Sequence, residues 1–235
     1  VTNSKLRLAL QNVTALLHAN RAVVLLAKAS AVLETLPADR LALPSEEVER
    51  IGRYRNEADR RARFAAHGLL RHCLGQLLAC PPETIQLVRD ENGRPFLQKD
   101  QKVDFNISHS GNWIAVGICS AGRIGVDVQE YVEPFDWRET GKSFLRPAEM
   151  NTIASLPLPE QSRLALRFWC LKEALLKATG EGLVVEPNQL ILKCDEDGWR
   201  LTRQGFDLRA DSFFLADGSC VAWASNVGSP VMLEL

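Results

Sequence analysis

The chain has 235 residues, enough for one large domain or two lobes with a substantial core. Its 28 Lys and Arg against 29 Asp and Glu leave a formal net charge of −1, which supplies no global field for nucleic acid and confines any basic site to a local cluster. No apolar run approaches the roughly 20 residues of a membrane-spanning helix, so neither a nucleic acid nor a membrane is expected as a partner.

Cys73, Cys80, Cys119, Cys170, Cys194 and Cys220 are scattered, with no C-x-x-C pair and no Cys/His cluster at zinc spacing. They read as reduced core residues of a cytoplasmic protein. Near the N-terminus, Lys5 and Arg7 precede an apolar stretch, but Gln11, Asn12 and Thr14 interrupt it and no small-residue cleavage site follows, so it does not read as a signal peptide. Residues 1–20 predict either a strand with a short helix or a peripheral extension.

Ala22-Val-Val-Leu-Leu-Ala27 is short and partly β-branched, which predicts a buried strand. Ser45 after Pro44, with Glu46 and Glu47 in the first turn, predicts a capped helix start. Asn56 with Asp59 three residues on marks a second start, and Phe64, Leu70, Cys73, Leu74, Leu77 and Leu78 carry a helical stripe as far as Pro81-Pro82. Arg50, Arg53, Arg55, Arg60, Arg61, Arg63 and Arg71 lie along the polar side of these helices. They form either a solvated face balanced by neighbouring acids or, in part, a phosphate-binding surface. Thr84–Val88 and Arg94–Leu97 flank the turn Asp90-Glu-Asn-Gly93, and Val103–Ser108, Trp113–Cys119 and Ile124–Val128 read as further strands.

In the second half, Phe144–Glu149 opens a short helix with Pro147 in its first turn. After Pro157 and Pro159 a long helix follows: Leu164, Phe168, Leu171 and Leu175 recur at helical spacing, and Gly180 ends it. Trp169, Glu173 and Lys177 are four apart and share a second stripe of that helix. Glu173 and Lys177 are therefore either an ordinary surface ion pair or a stripe that meets substrate. Leu190–Lys193, Trp199–Thr202, Ser212–Leu215 and Cys220–Ala224 are short predicted strands.

Asp127, at the end of an apolar strand, is either a turn residue or a carboxylate standing at a rim, and the strand period places Gln129 on its side and Glu130 opposite. With Glu173 it makes a pair of hard oxygen donors of the kind magnesium takes. His109 reads as a buried structural histidine or as part of a site. There is no GxSxG elbow, GxxxxGK[ST] loop, GxGxxG fingerprint or HExxH motif.

Asn106-Ile-Ser-His109, Gly125-Val-Asp127 and Trp169 with Lys172-Glu173 and Lys177, in that order, resemble the surfactin-synthetase-type 4'-phosphopantetheinyl transferases. The resemblance implies an α+β fold of two similar lobes, each a long helix packed on a small mainly antiparallel sheet, related by a pseudo-twofold axis. The N-terminal lobe, 1–122, would carry coenzyme A phosphate-binding elements, and the C-terminal lobe, 123–235, the metal-binding and catalytic residues. The implied reaction is magnesium-dependent transfer of 4'-phosphopantetheine from coenzyme A to a serine of an apo acyl or peptidyl carrier protein, releasing adenosine 3',5'-bisphosphate. The alternative is a relative that binds coenzyme A or a carrier with weak or no transfer.

Carried over residue by residue, the metal ligands are Asp127, Gln129 and Glu173, with Gln129 standing where the bacterial pattern usually has Glu. Glu173 is the implied base, Lys177 acts on the leaving phosphate, and Asp127 completes the catalytic set. Arg55, Arg61, Arg63, Arg94, Asn106, Ser108, His109, Lys172 and Lys177 are the implied coenzyme A contacts. A monomer is expected.

Overall fold

The computed structural model describes residues 2–36, 41–99, 102–132, 136–196, 198–203 and 205–235. Residues 2–20 form one helix, α1 (Thr2–Asn20), and not a strand with a short helix: Leu6, Leu10, Val13 and Leu17 recur at helical spacing and are buried. Arg21, at φ 61°, turns the chain into β1 (Ala22–Lys28). α2 (Ala29–Thr35) and α3 (Ser45–Gly52) follow, and the second starts on Pro44 as its cap, so Ser45 is the first helical residue. α4 (Glu57–Leu78) begins as its sequence predicts, with the Asn56 side chain accepting from the Asp59 N–H at 3.2 Å. Ala79, left-handed at φ 50°, ends it before the prolines arrive.

β2 (Leu87–Arg89) and β3 (Pro95–Leu97) make a two-stranded hairpin. β4 (Asp104–Ser110), β5 (Trp113–Cys119) and β6 (Ile124–Gln129) come next. They lead to α5 (Trp137–Thr140), α6 (Pro147–Ala154) and α7 (Leu158–Thr179). The chain closes with β7 (Lys193–Asp195), β8 (Gly198–Arg203), β9 (Phe206–Phe214), β10 (Cys220–Ser225) and β11 (Val231–Glu234). The strand expected at Leu190–Lys193 starts only at Lys193, because Leu190 ends a 3-10 turn and is buried among α7 residues.

One sheet runs β11-β1-β5-β4 and the other β6-β10-β9-β8-β7. Among the described residues pairing is antiparallel except for β1 with β11, where Val23 sits beside Val231 and Leu26 beside Glu234. Alternate residues of each strand face opposite layers. Val23, Leu25, Ile114 and Val116 pack on α1 and α4, while Ala222 and Ala224 pack on α7. Between the sheets, Val24, Leu26 and Trp113 meet Val126, Val128 and Trp223. The order is thus helix, sheet, sheet, helix, and the α+β fold with one long helix per sheet is present. The expected division at residue 122 needs correction at one place: residues 231–234 belong to the first sheet, since they hydrogen-bond along β1.

The two sheets also meet edge to edge, and side chains close the gap. Asp104, Asn106, Ser108 and Ser110, every second residue of β4, accept from the backbone N–H groups of Ile124, Val126, Val128 and Glu130 at 2.8, 3.0, 3.3 and 3.0 Å. The edge of β6 that faces away from β10 therefore has its donors satisfied by short polar side chains in place of a neighbouring strand. Arg94 braces this seam. Its guanidinium reaches both Asp104 carboxylate oxygens at 2.9 and 2.7 Å and the carbonyls of Phe105 and Ile124 at 3.2 and 3.0 Å.

Candidate active site

Gly125 sets how closely β6 approaches α7. A Cβ there would lie 1.9 Å from the Ala174 carbonyl oxygen and 2.5 Å from the Ala178 nitrogen, so only glycine lets the strand lie against the helix backbone. Ile124, Val126 and Val128 point into the layer between the sheets, which leaves Asp127 and Gln129 on the α7 side. Gln129 Nε2 donates to Asp127 Oδ2 at 3.0 Å. Glu130 turns the other way, with its carboxylate over Gly111.

Asp127 does not stand at a rim. It is 1% exposed, and four side chains surround its carboxylate: Lys177 Nζ at 2.6 Å and Ser108 Oγ at 2.8 Å on Oδ1, Gln129 Nε2 and Cys170 Sγ on Oδ2, the thiol at 3.3 Å. Burial pushes the Cys170 thiol well above its usual range, with Cys220 and Asp127 adding to the shift. Cys170 is therefore an S–H donor here. Lys177 also reaches Ser108 Oγ at 3.0 Å, so β4, β6 and α7 converge on one carboxylate.

Glu173 lies one turn before Lys177. Burial raises its pKa against the pull of the Lys177 ammonium, and the Asp127 charge raises it further. Its Oε1 is buried with no hydrogen-bond partner among the described residues. Such an atom calls for a proton or a cation. Asp127, Glu173 and the Gln129 amide oxygen are the hard oxygen donors here that could hold magnesium. Among the described residues no three His, Cys, Asp or Glu gather at metal-holding distance.

Lys172 and Arg94 do not face the Asp127 carboxylate. Lys172 is fully buried on another side of α7, donating to the Phe144 carbonyl at 2.7 Å and to Glu149 at 2.5 Å. It ties α7 to α6, and its phosphate-binding role is corrected on that ground. Besides bracing the seam, Arg94 donates to the Lys177 carbonyl while Asn92 Nδ2 donates to the Gly180 carbonyl at 2.9 Å. The β2–β3 turn thereby caps the C-terminal end of α7. Asn106 is likewise committed, its amide oxygen holding the Val126 N–H.

On the first lobe a cavity of about 810 Å³ is lined by Glu47, Arg50, His67, Arg71, Arg89 and Ile107 among others. Glu47 is buried, yet His67 and Arg71 hold its carboxyl down to about 2. Burial lowers the Arg89 pKa, and Arg50 and Arg63 lower it further. Burial, then the Arg63 charge, pushes His109 down to about 4. Arg50, Arg63, Arg89 and His109 thus share a surplus positive field. Arg63 stacks over Tyr54 at 3.8 Å. Arg55 and Arg61 are exposed and stand outside the groups that set this field. Arg89 escaped the sequence reading because nothing in a three-residue strand marks which side is lined by other arginines.

The 4'-phosphopantetheinyl transferase N-terminal model matches residues 34–120, and the 4'-phosphopantetheinyl transferase superfamily model matches residues 123–225. The 4'-phosphopantetheinyl transferase HetI of Nostoc is 31% identical over 191 residues, 79% of this chain and 79% of its own. The 4'-phosphopantetheinyl transferase of Bacillus subtilis is 26% identical over 157 residues, 67% of this chain and 69% of its own. The rat L-aminoadipate-semialdehyde dehydrogenase-phosphopantetheinyl transferase is 31% identical over 157 residues, 62% of this chain and 50% of its own. With both lobes matched in order and a relative covered over most of its length, this chain belongs to the 4'-phosphopantetheinyl transferase superfamily.

Proposed function

We propose that the protein transfers 4'-phosphopantetheine from coenzyme A to a serine hydroxyl of an apo acyl or peptidyl carrier protein, releasing adenosine 3',5'-bisphosphate. Arg50, Arg63 and Arg89 offer the nucleotide phosphates cationic groups, and His109, held uncharged near neutral pH, offers a ring N–H. Glu173, whose pKa burial raises, takes the serine proton as the serine oxygen bonds to the β-phosphorus. The bond from that phosphorus to the bridging oxygen breaks, and Lys177 stabilises the charge left on the departing phosphate. Asp127, Glu173 and Gln129 would hold magnesium, which when bound neutralises the pyrophosphate. Ser108 orients Asp127 and Lys177 together. The free cysteines suit a reducing, cytoplasmic setting.

The observation that carries this reading is Glu173: a partly buried carboxyl with an oxygen that has no hydrogen-bond partner among the described residues, one helical turn from Lys177 and within electrostatic reach of Asp127. The test is to mix the protein with coenzyme A, magnesium and apo acyl or peptidyl carriers and weigh the carriers intact. A mass gain of one phosphopantetheinyl group that disappears with Asp127→Asn and Glu173→Gln is the expected result. A folded protein that binds coenzyme A but leaves every carrier unmodified is instead a binding relative, and the proposal fails.

A further inference from the structure

The Asp127 carboxylate has room for about four hydrogen-bond donors, two on each oxygen, and four are already there. A divalent cation therefore reaches Asp127 only if one of them leaves. The four differ in their freedom to do so. Ser108 Oγ is pinned from behind by the Val128 N–H. Cys170 is fully buried, and its thiol also lies 3.3 Å from the Cys220 carbonyl oxygen. Gln129 sits two residues along the same strand, and its amide can stay beside a metal as a ligand. Lys177 differs from all three: it is a cation, its side chain is long, and that side chain is 25% exposed where Asp127 is 1%. An ammonium and a divalent cation sharing one buried oxygen repel each other in a medium that screens them poorly.

We infer that Lys177 is a resident cation that keeps Asp127 closed to divalent metal until the substrate's pyrophosphate draws the ammonium away. The inference rests on the transferase reading of this site. In the substrate-free protein the Lys177–Asp127 pair is neutral and stable. Coenzyme A brings phosphate oxygens that compete for the ammonium, and the oxygen it vacates then becomes a ligand. Metal and coenzyme A consequently bind as one cooperative event, and metal alone binds weakly. The same lysine serves twice, first as occupant of the metal position and then as partner of the phosphate.

Manganous ion alone, titrated into substrate-free protein and read from loss of the free-ion electron paramagnetic resonance signal, tests this without any turnover. Lys177→Met should bind the ion tighter than wild type by on the order of tenfold to a hundredfold, the size of effect one neighbouring charge has on a buried ionic equilibrium. Lys177→Gln is run beside it, so that a folding defect in one still leaves the other. Lys177→Arg keeps the charge and should stay with wild type. Adding Asp127→Asn to Lys177→Met should erase the gain and so locate the ion. Wild-type affinity in the folded Met and Gln variants, or an equal gain in the Arg variant, overturns the inference. Carrier modification by the wild-type protein is measured separately. If it occurs while the titrations fail, only the gating idea falls, whereas unmodified carriers sink the transferase reading whatever the metal does.

Discussion

Gly125→Ala isolates the contact on which the site geometry depends. The added methyl meets backbone at 1.9 and 2.5 Å, where no rotamer change relieves it, so α7 and β6 have to separate by about 1.5 Å to reach an ordinary approach. Overpacking of this kind costs on the order of 3 kcal/mol, which for a chain of this size lowers Tm by roughly 6–12 °C. The same displacement lies between Asp127 on the strand and Glu173 and Lys177 on the helix, and a misplacement of about 1 Å lowers turnover by about a hundredfold. The basic cavity lies in the other lobe, so coenzyme A affinity measured without metal should change far less than turnover. Calorimetry, holo-carrier formation at saturating substrates and coenzyme A titration give the three readings. An Ala variant that melts and turns over like wild type would show that glycine at this position does not set the strand-to-helix approach.

Arg94→Met breaks a buried ion pair and should destabilise by about 3–5 kcal/mol, with coenzyme A affinity of the folded protein unchanged. Unchanged stability with a large loss of affinity would restore the phosphate role that resemblance implied. His109 is held down to about 4 from 6.5. Between those values the unfolded chain takes up a proton that the folded chain refuses, so stability drops by about 2–3 kcal/mol as pH falls through this window. Urea titrations of His109→Phe should show a flatter pH dependence there, and an identical slope would refute the assignment. Gln129→Glu replaces a donor to Asp127 with a second anion. The magnesium concentration for half-maximal transfer should fall, and the metal-free variant should melt below wild type. A higher magnesium requirement would place Gln129 outside the ligand set.

Local pattern was enough for α7, because Phe168, Leu171 and Leu175 do lie on its buried side and Gly180 does end it. It was enough for β6 too, where strand alternation places Gln129 beside Asp127 and turns Glu130 away. It failed where a residue's meaning depends on something far along the chain. Lys172 adjoins Glu173 in sequence, but one step along a helix turns a side chain by about 100°, toward a glutamate 23 residues earlier. Arg94 is an implied coenzyme A contact, yet its acceptors are Asp104, Phe105, Ile124 and Lys177. The alternation Asp104, Asn106, Ser108, Ser110 reads as a strand with one wet face. That it is a row of acceptors for a second strand shows only when both strands are in place.

The parallel pairing of β11 with β1 has a consequence for how the molecule is made. During synthesis β1 emerges early and finds β5 within the first half of the chain, but its other edge stays bare until residues 231–234 arrive. An exposed apolar edge is a template for strand addition by other chains, so the nascent protein carries this hazard through most of its translation. A fragment ending before residue 231 carries it permanently and should aggregate, and a synthetic peptide of residues 229–235 supplied in trans should suppress that aggregation by occupying the vacant edge.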